Sequence, residues 1–362
     1  MSHAAVLLRL RAYLFVLHLS LLASFAAPLP SPATDTGRDS QPSDLLTARD
    51  ARSYMVELIN RDRSSQGLAP VVLDFTASDV AQKHSDEMAE WSYVSHWDLK
   101  GRKPDERYSE AGGRGAVFEN VYTNHKNPYM GYGSAVSASR LLPRREIEQA
   151  EEWFFNQQAP YDRHRRNILD PHHTQVGIGI SLAFDRRWGM RMTVAQEFVN
   201  TTAEVSQSPL QLAPGESRRI NGRIRMGSSL AAIQICREGL PFPMTPNQLN
   251  STGPYYLPPY TVASYLPSAP GYQTPVSVSK TRANEEFSME LTADRRWADG
   301  LYYILVWVRD PSSQQPYIGS TRTVRVAADA DRPIDVAQAP VQRQNSTLVV
   351  SRAPSSASSL FD

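Results

Sequence analysis

The stretch His164-Arg165-Arg166-Asn167-Ile168-Leu169, followed by Val176-Gly177-Ile178-Gly179-Ile180, decides the fold of the first half of this chain. Three further segments precede it: Ser95-His96, Phe118-Glu119-Asn120-Val121 and Glu152-Trp153-Phe154. Two histidines and a glutamate carried by separate elements can converge on one cleft, where imidazole and carboxylate groups hold a divalent cation or move a proton. The sequence therefore predicts a cleft in the first half.

Length and composition limit the classes of protein that this chain can represent. It has 362 residues, 41% of them hydrophobic, and a net charge of +1. This length predicts two modest cores, and the balanced charge argues against nucleic acid as a partner. Cys236 is the chain's single cysteine, so an intramolecular disulfide is excluded. Its apolar neighbours predict a buried, structural residue.

The amino-terminal residues are typical of an export signal. Arg9 and Arg11 precede an apolar run over residues 12–27, and small residues offer a cleavage site. We predict a signal peptide over residues 1–26 and a disordered linker over 27–47. The protein is then secreted or periplasmic, without stable membrane insertion after cleavage. An uncleaved anchor is the open alternative.

The pattern of apolar residues predicts helices packed on a small sheet. Helical periodicity covers residues 51–66, 75–91 and 144–156. Glycines and prolines predict turns around the short segment 106–110, residues 117–122 form a strand or an irregular wall, and 124–143 form a lid or insertion. The runs 176–184 and 190–199 predict a β-hairpin.

The motifs occur in the order that is found in one known family. They are Leu58-Ile59-Asn60-x-x-Arg63, Ala81-x-x-His84-Ser85-x-x-Met88, His96-x-Asp98, Glu119-Asn120-Val121, His164-Arg165-x-Asn167-Ile168-Leu169 and Val176-Gly177-Ile178-Gly179. This series resembles the CAP superfamily, or SCP domain, which joins cysteine-rich secretory, antigen 5 and pathogenesis-related proteins. The resemblance is to its bacterial, cysteine-free branch. It implies an α-β-α sandwich, which we place at residues 48–201.

The same resemblance implies a cleft with two histidines and two acids. His96, Glu119 and His164 match three of the four positions, whereas Asn156 stands where the second acid is expected. Two imidazoles and a carboxylate form a known ligand set for Zn²⁺ or another divalent cation. A hydrogen-bonded structural cluster is the alternative. The residues that match the family's motifs in structural positions are Asn60, Arg63, Asn120, Arg165, Asn167 and Gln196.

Other titratable residues are kept out of the predicted site. His84 lies on the apolar face of a helix and is predicted to be a satisfied core histidine. His172 and His173 are predicted to be solvated, and Ser95 and His96, as neighbours, point to opposite faces of an extended segment. The sequence also contains none of the common hydrolase or nucleotide-binding motifs.

The second half has the alternation and turn spacing of an all-β protein. Apolar runs occur at residues 210–212, 219–226, 230–236, 260–266, 276–280, 286–291, 301–309 and 320–326. These predict an immunoglobulin-like sandwich over 205–328, followed by a disordered tail over 329–362. Residues 241–272 are rich in proline and tyrosine. They form either an aromatic binding loop or a cover for the sandwich.

The sequence thus predicts an α+β protein: a CAP-type sandwich followed by an immunoglobulin-like one. The favoured function is a non-catalytic extracellular binding module for lipid, cell-envelope or protein ligands. One alternative is a metal-dependent, peptidase-like hydrolase that uses His96, Glu119 and His164. A second alternative places glycan or protein binding on the C-terminal sandwich.

Overall fold

The protein is described by a computed structural model that covers residues 44–124, 134–135, 141–185, 189–207, 211–267, 273–281, 284–311 and 315–328. All of these residues belong to one compact unit. The predicted signal peptide, most of the linker and lid, and the tail lie outside the described residues. No helix among the described residues is long and apolar enough to cross a membrane.

The first half places one mixed sheet between helices, which confirms the predicted α-β-α class. The helices are α1 (Ala48–Ser65), α2 (Phe75–Trp91), α3 (Pro104–Glu110), α4 (Arg144–Phe155) and α5 (Arg163–Ile168). The strands are β1 (Leu45–Leu46), β2 (Val72–Leu73), β3 (Ala116–Thr123), β4 (Ser134–Ala135), β5 (Leu142–Pro143), β6 (Gln175–Asp185) and β7 (Gly189–Asn200). The main sheet has the order β2-β6-β7-β3, and the predicted hairpin is β6–β7.

Each long helix begins at a residue whose side chain caps it. Thr47 caps α1 by accepting a hydrogen bond from the Asp50 N–H at 3.2 Å, and Asp74 caps α2 through the Ala77 N–H at 2.6 Å. These bonds satisfy backbone donors that have no partner inside the helix. Gly67, which follows α1, has a φ of 72°, a conformation that glycine adopts without strain.

The Val-Gly-Ile-Gly segment allows α2 to lie directly on β6. A Cβ atom at Gly177 would overlap the backbone of Ala77 and Ser78, and one at Gly179 would overlap the Ala81 carbonyl. The intervening Ile178 is fully buried in the core on the opposite side of the sheet. The glycines therefore allow a helix to lie on one face of β6, while the apolar residues between them fill the core on the other face.

The second half is a β-sandwich, as predicted. One sheet has the order β13-β14-β10-β8 and the other β12-β11-β15-β16-β9. The strands are β8 (Ala203–Gln207), β9 (Gln211–Leu212), β10 (Ser217–Arg225), β11 (Ser229–Glu238), β12 (Tyr260–Tyr265), β13 (Ser277–Lys280), β14 (Asn284–Thr292), β15 (Gly300–Arg309) and β16 (Tyr317–Val326). A short helix, α6 (Pro246–Leu249), lies between β11 and β12.

The two halves pack against each other through β16 and the segment around α3. Arg322 donates a hydrogen bond to the Ser109 carbonyl at 3.1 Å, and the Thr323 N–H donates to the Ser109 hydroxyl at 3.1 Å. Asn200 donates to the Ile318 carbonyl at 2.8 Å. These contacts use buried polar atoms, so the sandwich completes hydrogen bonding within the first half. The predicted limits of the two domains stay a prediction.

Several short elements differ from the sequence prediction. The short segment 106–110, whose secondary structure the sequence left open, is part of helix α3, which starts at Pro104, and His164 lies in helix α5. Residues 45–47 of the predicted linker form β1 and the cap of α1. Elements of two to seven residues carry too few apolar repeats for periodicity to reveal them.

Replacing Gly179 by alanine tests the contact between α2 and β6. Because the added methyl group overlaps the α2 backbone, we expect the free energy of unfolding to fall by about 1–3 kcal/mol. Gly239→Ala is the matched control, since nothing lies near that position. Urea unfolding followed by circular dichroism measures both changes. Equal stabilities of the two variants would contradict this packing.

Candidate functional site

The site is built on β3, the edge strand of the main sheet. Glu119 lies opposite Glu197 of β7, and Asn120 lies opposite Gln196. Successive side chains of a strand project to opposite faces. The alternation of side chains along β3 therefore gives this strand two polar clusters. The Glu119 cluster lies on the α2 side of the sheet, and the Asn120 cluster lies on the α4 side.

In the Glu119 cluster, a buried arginine bridges two buried carboxyl groups. Arg107 Nη2 bonds to Glu119 Oε2 and lies 3.5 Å from Glu197 Oε1. His96 Nδ1 is 2.9 Å from Glu119 Oε1, and His84 Nε2 is 3.8 Å from Glu119 Oε2. Like charges directly across a sheet repel. Arg107 and a retained proton offset that repulsion.

Burial sets the protonation of this cluster. It raises the pKa of Glu119 to about 7, against the opposing effect of Arg107, and raises the pKa of Glu197 well above its usual value. Burial and then Arg107 lower the pKa of His96 to about 4. The His96 imidazole is therefore neutral at pH 7, and the carboxyl pair takes up or releases a proton near neutrality.

The second half contributes a tyrosine to this cluster. The Glu119 N–H donates a hydrogen bond to the Tyr255 hydroxyl at 3.0 Å. The ring of Tyr255 lies on His96, with 4.7 Å between ring centroids and an interplanar angle of 56°. Tyr255 thus occupies part of the exposed edge of β3 and limits access to His96.

Tyr255 belongs to a strap, residues 239–259, that runs from β11 to β12 across the first half. Leu249 packs in the apolar cluster around Met88, and Asn250 accepts from the Val94 N–H at 3.0 Å. Thr252 Oγ1 is 2.8 Å from Ser95 Oγ. The strap therefore packs against the first half beside the predicted cleft.

The Asn120 cluster is a chain of buried amides. Asn120 donates to Gln196 Oε1 at 3.1 Å, and Gln196 donates to Glu151 Oε2 at 2.6 Å. Asn167 donates to Asn120 Oδ1 at 3.0 Å. Burial raises the pKa of Glu151 to about 8, so its carboxyl group is largely protonated at neutral pH. This cluster joins α4, α5 and the sheet.

His164 lies on the Asn120 side of β3, away from the Glu119 cluster. Asn120 donates to its carbonyl oxygen at 3.2 Å, and its Nδ1 is 2.7 Å from Gln157 Nε2. Its ring contacts Trp153 at 5.1 Å and Phe154 at 5.2 Å between centroids. The alternation of β3 therefore gives the two candidate histidines different surroundings.

The three predicted metal ligands do not form one group in the structure. Within the part of the chain that the structure describes, no three His, Cys, Asp or Glu residues are placed so that they could hold a metal ion. His96 and Glu119 are paired, whereas His164 is held by Gln157. Asn156 is exposed at the end of α4 and does not line the cavity described below.

Three of the motif residues that were assigned structural positions bind backbone atoms. Arg63 donates to the carbonyls of Ala69 at 2.9 Å and Asp170 at 2.9 Å, and Asn60 pairs with the backbone of Val71. Arg165 donates to the Phe155 carbonyl at 3.1 Å. These bonds fix the turns that present β2 and α5.

Two of the histidines kept out of the site differ from their predicted environment. His173 is not solvated but 2% exposed, and its ring nitrogens lie 2.7 Å from Asn200 Oδ1 and 2.9 Å from Asn167 Oδ1. His172 stacks on Tyr317 of the second half. His172 therefore helps to join the two halves, whereas His173 is held within the first half. His84 is buried, as predicted.

A cavity of about 1210 Å³ lies between β3 and the second half. The first half contributes His96, Glu119 and Asn120, together with Trp153, Gln157 and His164. The other wall is formed by the strap and by the outer face of β11, β12, β15 and β16. The predicted cleft is therefore one wall of a chamber that both halves enclose.

Sequence reasoning missed three residues that define this site. Arg107 stood in a short segment between predicted turns, to which the sequence assigned no structure. Glu197 is brought to Glu119 by strand register, which sequence spacing does not reveal. Tyr255 was noted only as part of a proline- and tyrosine-rich segment. The charged residues of α3 and the local excess of tyrosine were the available signals.

Comparisons with known proteins identify the first half. Residues 56–189 match the model of the CAP, Cysteine-rich secretory protein family. The chain therefore contains a CAP domain of bacterial type. It is 25% identical over 155 residues to the uncharacterized protein YkwD of Bacillus subtilis (strain 168), a match that covers 42% of this chain and 51% of YkwD. The match thus spans about half the length of that curated relative.

Solved structures show weaker similarity. An extracellular protein containing an SCP domain from Bacillus anthracis str. Ames is 21% identical, with a TM-score of 0.29, covering 42% of this chain and 41% of that one. An outer surface protein from Borrelia burgdorferi is 13% identical, with a TM-score of 0.31, covering 43% of this chain and 98% of that one.

Replacing Arg107 by methionine tests the charge balance of the Glu119 cluster. Two buried carboxyl groups lose their cation, so we expect the free energy of unfolding to fall by about 3–5 kcal/mol. The loss should be larger at pH 8 than at pH 5. Burial favours the protonated form of Glu119. The stability that this neutral carboxyl group contributes is complete below its unfolded pKa and is lost as pH rises through about 7. Above that pH the ionised carboxyl group depends on Arg107.

Urea unfolding at both pH values measures this effect. The control is Arg223→Met, which removes a surface ion pair with Glu204 whose side chains are 57% and 26% exposed. That change should cost about 1 kcal/mol or less. An Arg107→Met loss of the same size as the control, or one independent of pH, would contradict the assigned role.

Proposed function

We propose that this protein is an extracytoplasmic binding protein whose ligand occupies the chamber between the CAP domain and the β-sandwich. The observation that carries this proposal is the cavity of about 1210 Å³, which is lined by aromatic and polar side chains of both halves. Binding sites are typically concave, largely preformed and lined by rings with a few placed polar groups. The ligand class is lipid, cell-envelope material or protein.

The polar groups of the Glu119 cluster are engaged with one another. Both carboxyl oxygens of Glu119 have partners within the protein, one being His96 and the other Arg107. Tyr255 further covers His96. The cluster is thus arranged to stabilise the walls of the chamber.

The hydrolase alternative requires a different geometry. A catalytic zinc site needs three protein ligands near 2 Å from the ion and one open position. The alternation of β3 puts His164 on the side of Tyr122 and Trp153, opposite the Glu119 cluster. The second alternative, binding through the sandwich, becomes part of the main proposal because strands of the sandwich form one wall.

The proposed location outside the cytoplasm rests on the sequence. The charged and apolar pattern of residues 1–26 is typical of a signal peptide. The similar Bacillus anthracis protein is described as extracellular. Processing at the predicted site is testable by amino-terminal sequencing of the exported protein.

A cavity-filling substitution tests the proposed function. Thr261 is exposed on β12 and lines the chamber, so Thr261→Trp adds a large ring inside it without displacing core residues. We expect wild-type protein to co-sediment with bacterial polar-lipid vesicles or with insoluble sacculi. Thr261→Trp should bind the same material as the wild type, at least tenfold more weakly.

Val262→Trp is the matched control. Val262 is the next residue of the same strand, is 37% exposed and does not line the chamber, so this variant should bind like the wild type. Wild-type protein that is retained by neither material, or equal binding by all three proteins, would show that the chamber is not the binding site.

A further inference from the structure

The chamber's two walls each carry an aromatic platform. On the CAP wall, Trp153 is 39% exposed and its ring is held by Tyr122 at 5.5 Å and His164 at 5.1 Å between centroids. On the sandwich wall, Trp307 is partly buried and donates its indole N–H to Gln234 Oε1 at 2.9 Å. The contacts hold both rings in defined orientations.

Neutral polar groups lie beside both rings. Gln234 accepts from Trp307 and donates to Thr261 Oγ1 at 2.9 Å. Gln157 is held by two atoms of His164, at 2.7 Å and 3.2 Å. An amide keeps two donors and two acceptor lone pairs, so each of these groups retains capacity toward a ligand. Hydroxyl groups, which donate and accept, are the partners that suit them.

Most of the titratable groups that line the chamber have partners within the protein or a shifted pKa. Glu119 pairs with Arg107, and Arg166 pairs with Asp162 at 3.0 Å. Burial raises the pKa of Asp105 to about 7, and Arg163 lies over the ring of Tyr256 at 5.2 Å. A phosphate or carboxylate head group, which is best held by several convergent cations, thus finds few unpaired charges in the chamber. This favours an uncharged ligand.

The size and lining argue against a single small metabolite and a plain acyl chain. A volume of about 1210 Å³ exceeds the roughly 300–1,000 Å³ of ordinary small-molecule sites. An acyl chain would leave the remaining hydrogen-bonding capacity of Gln157 and Gln234 unsatisfied, and burying a polar group without a partner costs about 1–3 kcal/mol. A chain of repeating units, each with an apolar face and a polar edge, satisfies both rings and amides.

We propose that the chamber binds an uncharged stretch of polysaccharide, with sugar-ring faces against Trp153 and Trp307 and sugar hydroxyls bonded to Gln157 and Gln234. This inference rests on the proposed function, because it names the ligand class of the same chamber. The C–H face of a pyranose is apolar and packs on an aromatic ring, while its hydroxyls remain at the edge for hydrogen bonding.

Calorimetric titration of the full-length protein with soluble oligosaccharides tests the inference. The probes are cellohexaose, the hexamer of N-acetylglucosamine, glycan strands released from peptidoglycan, and the disaccharide of each sugar. Vesicles of phosphatidylethanolamine and phosphatidylglycerol are the lipid arm, followed by co-sedimentation. We expect at least one hexamer or glycan strand to bind, at least tenfold more tightly than its disaccharide. The vesicles should not bind.

Two tryptophan variants locate the binding. Trp153→Ala should weaken oligosaccharide binding at least tenfold. Trp91→Ala is the matched control, because Trp91 is 37% exposed and does not line the chamber. Trp307→Phe keeps a ring but removes the bond to Gln234, and it should weaken binding less than Trp153→Ala. Thermal unfolding confirms that each variant is folded.

The outcomes separate this inference from the function on which it rests. Vesicle binding that Thr261→Trp abolishes, without sugar binding, overturns the polysaccharide inference and leaves the chamber as a binding site. Sugar binding that survives both Trp153→Ala and Thr261→Trp overturns it as well, because the sugar then binds elsewhere. Absence of binding to every sugar, to vesicles and to sacculi overturns both proposals.

Discussion

The alternation of two neighbouring polar residues on an edge strand is the constraint on which the site depends. Glu119 and Asn120 are both buried, and β3 directs them to opposite faces of the sheet. A buried polar group must find partners or destabilise the fold. Each residue has therefore acquired a network, and these networks position α3 on one face and α4 and α5 on the other.

The second half of the molecule completes these networks. Tyr255 accepts from the backbone of Glu119, while Asn200, which binds His173, donates to the Ile318 carbonyl. Leu249 fills part of an apolar cluster of the CAP domain. The sandwich is thus a structural component of the cleft. This explains why the chamber is shared and why the proposed ligand is expected to contact both halves.

Much of the fold was predictable because it depends on local periodicity. The long helices, the β6–β7 hairpin and the eight predicted runs of the sandwich correspond to observed elements, since apolar spacing reports directly on a buried face. Helices α3 and α5 were missed because short elements are determined by their tertiary contacts. Arg107 of α3, for example, is tied by its guanidinium to Glu119 of β3.

The site was less predictable because its residues meet through register and through contact between the halves. The motif series predicted that His96 and Glu119 share a cleft, and His96 Nδ1 lies 2.9 Å from Glu119 Oε1. The register that puts Glu197 beside Glu119, and the strap that brings Tyr255 to His96, involve positions far apart in the chain. No spacing rule in the sequence encodes them.

The missing second acid now has a physical interpretation. Asn156 occupies the position where the family resemblance implied a carboxylate, and it lies exposed at the end of α4. A second carboxyl group nevertheless adjoins Glu119, because Glu197 reaches it from the neighbouring strand. Here a guanidinium and a retained proton balance the two acids. A buried cation supplied by the chain itself thus fixes the wall of the chamber, and this internal balance of charge is the reason why we propose an uncharged ligand.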